Sequence, residues 1–326
     1  MPEEKGKKGA MSEIDKVTDQ INEKYGNGEK CALTLDSDSV IEVPRYDLGS
    51  RGWNEVFGGG LPKGRVIEIA GAPSSGKTSS CYFLASQVQK QGGIVAWLDL
   101  EACAETDYMK AVGVDLSKLI LVTPNNGEEA ADMAIMYAKA GISLIVIDSL
   151  AALVPKAELE GEITDQKMAL QARLLGKFLR MITPTIHKSG TTIVVINQMR
   201  AAINTGGFSH GPTSVSSGGV ALKFFSSVRL ETKRIQTLKD KDEKAIGIVL
   251  KVENKKNKCG LPFRSAEFQY MYANGFDIAG EALDEAISAG TVKQEGRTYS
   301  MGGEKLGVGR DVAKVAYAER LAEKKK

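Results

Sequence analysis

The chain has 326 residues, 42% of them apolar, which suffices for one large core with smaller attachments. With 43 Lys and Arg against 41 Asp and Glu the net charge is +2, so no global basic field recruits nucleic acid and any such binding has to be local. Cys31, Cys81, Cys103 and Cys259 stand far apart without metal-ligand spacing and read as packing thiols of a reducing compartment. No apolar run reaches the roughly 18 residues of a membrane span. The N-terminus is charged rather than signal-like, so the expectation is a cytoplasmic protein with no membrane partner.

Residues 1–11 carry charge and glycine but little to bury, and are expected to be disordered. Ser12 followed by Asp15 opens a helix whose apolar positions Ile14, Val17, Ile21 and Tyr25 recur at helical spacing until Gly26 ends it. So narrow a stripe ahead of a polar linker is buried either by folding back on its own core or by docking on another molecule. From Arg65 the short apolar runs RVIEIA, GIVAWLD, KLILVT, SLIVIDS and TTIVVIN alternate with helical periods such as 127–140. Continuous β-branched runs without polar alternation indicate strands buried on both faces, hence an α/β fold with a mainly parallel sheet flanked by helices. Residues 200–219, RAAINTGGFSHGPTSVSSGG, show no hydrophobic period at all; a loop that long inside a compact domain is either functional or a misread element. After Gly218 the segments FFSSVRLETKRI, IGIVLKVE and FRSAEFQYMY, joined by polar turns, read as an antiparallel extension. A break near Ala273 precedes a small α+β unit with a helix at 280–290, a Gly-rich hairpin around YSMGGEKLGVG and a terminal helix ending in KKK. The expected division is therefore 1–36, 37–272 and 273–326.

GAPSSGKT, residues 71–78, fits the P-loop pattern G-x-x-x-x-G-K-[ST] between a strand and a helix. Gly71 and Gly76 let the backbone curl so that its amides converge on phosphate oxygens, and the helix terminus adds partial positive charge. Gly71, Pro73, Ser74, Ser75, Gly76, Lys77, Thr78 and Ser79 form the expected nucleotide cradle, with Lys77 on the β- and γ-phosphates of ATP and Thr78 on Mg²⁺. Asp148 ends the run SLIVIDS, where a carboxylate at a strand tip holds the magnesium shell. Two further strand tips are polar: Asp99 and Glu101 after GIVAWL, and Asn197 and Gln198 after TTIVVI. Ligands in open α/β sheets bind beyond such ends, which makes Glu101 and Gln198 candidates for orienting the attacking water and sensing the γ-phosphate.

These residues resemble the RecA family of ATP-dependent DNA strand-exchange recombinases, bacterial or phage. The resemblance covers roughly 12–310 and is carried by GGGLPKGRVIEIAGAPSSGKT, VIDSLAALVPKAELEGEI, INQMR, GGVALKFFSSVRLETKR, NKKNKCGLPFRSAEF and GEKLGVG. It implies a RecA-type P-loop NTPase core over 37–272, with Glu101 activating water and Gln198 linking the γ-phosphate to a DNA-binding loop. Lys256 and Lys258 of KKNK match two lysines that reach across the ATP from the neighbouring protomer; on charge alone they would be a solvated hairpin. Tyr108 matches the adenine-stacking aromatic, Glu105 stands where the family commonly has Asp, and Tyr272 joins the same nucleotide site. The N-terminal helix would pack on the adjacent subunit and a short strand near KCALTL would extend that subunit's sheet. Such a heterologous, non-closing contact generates an open helical filament.

DNA would lie on two loops, 158–167 and 199–219. The first is acidic, so backbone amides with Arg173 and Arg180 would supply the attraction and Met168 would wedge between bases. In the second, Arg200, Phe208, Gly218 and Gly219 are the candidates; a Gly/Ser chain offers many backbone amides and reads no sequence, and Phe208 either stacks on a base or packs locally. Lys233 and Arg234 match a basic pair of a duplex-binding surface. The implied function is an ATP-dependent homologous recombination protein that polymerises on single-stranded DNA, pairs it with homologous double-stranded DNA and hydrolyses ATP when DNA is bound. The competing readings are a ring-forming, helicase-like motor on the same core and a filament module that senses ATP without turning it over.

Overall fold

A computed structural model describes residues 3–26, 28, 30–34, 42–160, 168–201, 214–216 and 219–323, in two units, Met1–Val43 and Pro44–Lys326. In the first unit α1 (Glu3–Tyr25) begins well before Ser12, within the segment expected to be disordered. The Lys, Ala and Met residues of this stretch are good helix formers, which outweighs Gly6 and Gly9. The Gly26 amide donates to the Asn22 carbonyl at 2.8 Å and ends the helix. Asn22 also fixes the chain that follows: its Oδ1 accepts from the amides of Cys31 (2.8 Å) and Ala32 (2.7 Å), and its Nδ2 donates to the Ala32 carbonyl (2.9 Å). Residues 30–34 carry no strand in the single chain, and Ile14, Val17, Ile21 and Tyr25 stay exposed, so the unit does not bury its own stripe.

The second unit opens with β1 (Arg45–Tyr46), α2 (Arg51–Phe57) and β2 (Leu61–Pro62). Next come β3 (Val66–Gly71), α3 (Lys77–Lys90), β4 (Val95–Asp99), α4 (Thr106–Ala111) and β5 (Leu119–Val122). They are followed by α5 (Gly127–Lys139), β6 (Leu144–Asp148), α6 (Lys156–Leu159), α7 (Met168–Ser189) and β7 (Thr192–Ala201). Then come β8 (Ser214–Ser216), α8 (Gly219–Phe225), β9 (Val228–Lys239), β10 (Ala245–Asn257), β11 (Ser265–Met271) and β12 (Gly275–Phe276). The large sheet has the order β12-β11-β10-β9-β3-β7-β6-β4-β5. β9, β3, β7, β6, β4 and β5 run parallel, and β10, β11 and β12 extend the sheet by antiparallel pairing.

Alternate residues of the central strands feed two cores. Ile67, Ile69, Val146, Val194 and Ile196 pack with Trp53 of α2 and with α3, whereas Val66, Ile145, Ile147, Ile193 and Val195 pack with α5 and α7. Burial on both faces is the reason these strands lack polar alternation. Trp53 is fully buried and stacks on Phe268 at 4.6 Å between ring centroids, fastening α2 to β11.

The C-terminal elements are α9 (Ile278–Ser288), β13 (Val292–Glu295), β14 (Thr298–Met301), β15 (Glu304–Val308) and α10 (Arg310–Glu323). They form a three-stranded antiparallel sheet with its own cluster of Leu283, Val292, Tyr299, Leu306, Ala313 and Tyr317. Glu281 of α9 accepts from the Ser50 hydroxyl (2.6 Å) and the Gly52 amide (2.7 Å), tying this part to the start of α2.

Two local readings change. The phenylalanines of FFSSVRLETKRI are helical: Phe224 and Phe225 end α8, where Leu222 and Phe225 share the buried side and the Ser226 hydroxyl donates to the Leu222 carbonyl at 2.6 Å. The segment 200–219 is not wholly irregular, because Ser214–Ser216 pairs antiparallel with Met199–Ala201 and zips the base of the loop. Phe208 and Gly218, together with 161–167 of the first loop, lie outside the described residues.

Candidate active site

β3, β7, β6 and β4 are neighbours in the sheet and parallel, so their C-terminal ends converge on one edge. Gly71 closes β3 and the loop to α3 turns with Ser74 at φ 55° and Gly76 at φ 82°. Gly71 is required for space: a Cβ there would lie 2.4 Å from Ser75 Oγ, 2.5 Å from Thr232 Oγ1 and 2.6 Å from the Thr232 carbonyl oxygen. Ser75 Oγ and Thr232 Oγ1 are hydrogen-bonded at 2.8 Å, so β9 braces the loop from the side. Pro73 and Ser74 are exposed while Ser75 and Lys77 are buried, and the Lys77 ammonium donates to the Ala72 carbonyl at 2.7 Å, across the loop. Burial pulls the Lys77 ammonium below its usual range despite the nearby Asp148 and Glu101 carboxylates.

The remaining tips join the loop through hydrogen bonds. Thr78 Oγ1 donates to Asp148 Oδ2 at 3.2 Å, which brings together the two residues expected at a magnesium ion. Burial, with Glu101 as the next cause, pushes the Asp148 carboxyl up to about 6. A carboxylate so short of positive charge is a site that a divalent cation would relieve, and the hydroxyl–carboxylate pair is the donor set such an ion takes. Glu101 Oε1 accepts from the Ser149 hydroxyl and, at 3.4 Å, from Gln198 Nε2. Glu101, Gln198 and Asp148 therefore form one polar group across β4, β7 and β6, centred opposite the P-loop. Asp99 turns back into its own loop, accepting from the amides of Cys103 (3.2 Å) and Ala104 (2.8 Å).

Under these tips, Glu68 of β3 is fully buried, paired with Arg229 of β9 and accepting from Asn197 Nδ2 of β7 at 2.8 Å. Beside the first turn of α3, Ser79 Oγ lies 3.5 Å from Tyr108 OH, which in turn is hydrogen-bonded to Tyr270 OH. Glu105 precedes α4 as an exposed N-cap without a side-chain capping bond, and Tyr272 is 41% exposed just past β11.

Lys256 and Lys258 do not reach the P-loop of their own chain. The Lys256 ammonium donates to the carbonyls of Lys223 (2.5 Å) and Phe224 (3.2 Å), and that of Lys258 donates to Phe224 (3.3 Å). They cap the C-terminus of α8, where the helix dipole favours cations. Of the DNA candidates, Arg173 and Arg180 are exposed two turns apart on α7, Gly219 opens α8, and Lys233 and Arg234 are exposed on β9. Met168 starts α7 and Arg200 lies in β7, with their side chains outside the described residues. Sequence reading missed Ser149, Thr232 and Tyr270, which have no signal of their own. Among the described residues no cluster of three or more His, Cys, Asp or Glu is placed to hold a metal ion, and no helix is long and apolar enough to cross a membrane.

Residues 12–277 match the family model of the RecA N-terminal domain. Protein RecA of Leptospira meyeri is 42% identical over 308 residues, 94% of this chain and 78% of its own length. Protein RecA of Picosynechococcus sp. is 41% identical over 307 residues, 94% and 86% of the two chains, and that of Cytophaga hutchinsonii is 40% identical over 311 residues, 95% and 86%. With a P-loop braced by β9, polar tips gathered on one sheet edge and this likeness along nearly its whole length, the chain belongs to the RecA family.

Proposed function

We propose that the polar group at the strand tips is the site where this chain hydrolyses ATP and transmits the state of the γ-phosphate to DNA. The chain is a DNA-dependent ATPase of homologous recombination and repair that binds DNA and assembles into filaments; the helicase-like ring is not favoured. In the proposed division of labour Lys77 and the P-loop amides hold the β- and γ-phosphates, and Thr78 with Asp148 holds Mg²⁺. The metal, when bound, neutralises phosphate charge. Glu101 takes the proton of the attacking water, and the Ser149 hydroxyl keeps its carboxylate oriented. Tyr108 lies along the adenine, with Glu105 and Tyr272 beside it. Lys256 and Lys258 act on the nucleotide of the neighbouring subunit, which requires them to leave α8.

The observation that carries this reading is the hydrogen bond between Gln198 and Glu101. Gln198 is followed directly by Met199–Ala201, the strand end that zips to Ser214–Ser216. A group that contacts the water-activating carboxylate thus continues without interruption into the base of the 199–219 loop. Single-stranded DNA on that loop and on Arg173 and Arg180, with homologous duplex as the second partner, is the assignment that follows. The assay is ATP turnover with single-stranded DNA, alongside electron microscopy of the complexes. Glu101→Gln is expected to lower kcat by about 10²-fold or more while leaving extended filaments on DNA. A normal turnover rate removes Glu101 from the mechanism, and closed six-membered rings would overturn the filament reading.

A further inference from the structure

The β9–β10 ribbon carries a cluster of charges that the strand-tip site does not use. Residues 231 and 233 on β9 and 251 and 253 on β10 alternate onto one face of the sheet, and Lys255, at the bulge between Asn254 and Lys256, reaches the same two carboxylates. Lys233 stands directly opposite Lys251 and Glu231 directly opposite Glu253, a register that sets like charges face to face. Contacts along each strand and across the diagonal relieve it. Lys251 Nζ lies 2.8 Å from Glu253 and Lys233 Nζ lies 3.1 Å from Glu231 and 3.8 Å from Glu253. Lys255 is paired with Glu253 and lies 3.6 Å from Glu231. The two carboxylates sit low, their side chains 18% and 20% exposed, while the lysines stand above them at 51%, 34% and 41%. Hydrogen bonds from Lys251 and Lys255 hold the Glu253 carboxyl down at about 2, so it is ionised at every working pH.

Three ammonium groups gathered over two sunken anions form a surface already shaped for phosphate oxygens. DNA is the anionic polymer this chain binds, and with a net charge of only +2 its hold on DNA depends on local cation clusters of this kind. We infer that Glu231 and Glu253 are internal stand-ins for backbone phosphates: they keep Lys233, Lys251 and Lys255 arrayed, and they limit how tightly a duplex is retained because each arriving phosphate must displace a carboxylate. The inference rests on the recombinase reading, in which a filament on single-stranded DNA must sample duplexes and release those that do not match. A surface of free lysines would hold every duplex, and the paired surface lets go.

The test uses the full chain assembled on unlabelled single-stranded DNA with a slowly hydrolysed ATP analogue, titrated with a fluorescent non-homologous duplex over a range of KCl concentrations. Glu253→Gln and Glu231→Gln are expected to tighten duplex retention by about 2- to 5-fold. Each is also expected to steepen the slope of log K against log salt by about 0.9 for each ammonium released to DNA. Glu253→Lys is expected to go further in the same direction, and Lys251→Gln to loosen retention. Wild-type affinity and slope in both glutamine variants, or weaker retention in either, overturns the inference. A wild-type chain that forms no filament on single-stranded DNA refutes the functional reading instead, and that result is read before any variant is made.

Discussion

Replacing Gly71 by alanine tests whether the P-loop is held by β9 or merely follows from its glycines. Gly71 has no positive φ, so the backbone accepts alanine and only the added methyl matters. That methyl meets Ser75 Oγ at 2.4 Å, Thr232 Oγ1 at 2.5 Å and the Thr232 carbonyl at 2.6 Å. Ser75 escapes by rotating, at the expense of its 2.8 Å bond to Thr232. The carbonyl has no such freedom, because Thr232 is the ladder partner of Gly71, and β9 and β3 must part by several tenths of an ångström. Overpacking of this kind costs about 2 kcal/mol, equivalent to a fall in Tm of roughly 3–4 °C in a unit as large as Pro44–Lys326. Differential scanning calorimetry of nucleotide-free protein reads the first effect, and the KM for ATP, expected to rise at least tenfold because the amides no longer converge, reads the second. Gly113→Ala is the control: at φ 96° with no atom within 4 Å it strains the backbone alone, so Tm is expected to fall with the KM for ATP unchanged. Wild-type Tm and KM in Gly71→Ala would refute the bracing of the loop by Thr232.

Asp148→Asn in nucleotide- and magnesium-free protein is expected to be stabilising at neutral pH. The folded-state carboxyl titrates near 6 against 3.8 unfolded, so its ionisation costs stability in full above pH 6 and nothing below pH 3.8. The variant gains on the order of 1–3 kcal/mol in urea melts at pH 7.5, the gain vanishes towards pH 4, and a pH-independent difference would contradict the burial argument. The double variant Lys256→Ala, Lys258→Ala removes both caps of α8. Amide exchange near its last turn is expected to accelerate by about 5- to 10-fold, while equal protection would mean that the caps are incidental.

The parallel core was legible because strands buried on both faces must be apolar at successive positions, as Ile145–Ile147 and Ile193–Ile196 are. The nucleotide residues were legible for a related reason: a P-loop and a strand tip are local patterns, and the sheet order brings the tips together automatically. Their supports were not. Ser149, Thr232 and Tyr270 act through partners 48, 157 and 162 residues away, and nothing in the residues around them records that distance. Phe224 and Phe225 read as the start of a strand because two aromatics before a β-branched run fit that pattern, and a helix of seven residues is too short to show its own period. The early start of α1 was hidden by glycines that the surrounding helix formers outweigh.

The buried Glu68 clamp has a mechanical consequence. One carboxylate joins β3, β7 and β9, and separating β9 from β3 would leave it buried without its Arg229 partner, at a cost of several kcal/mol. The P-loop, Gln198 and the lysine ribbon are therefore mounted on one rigid plate. Nucleotide-driven motion is expected in the loops beyond the strand tips, with the clamped strands as their fixed frame.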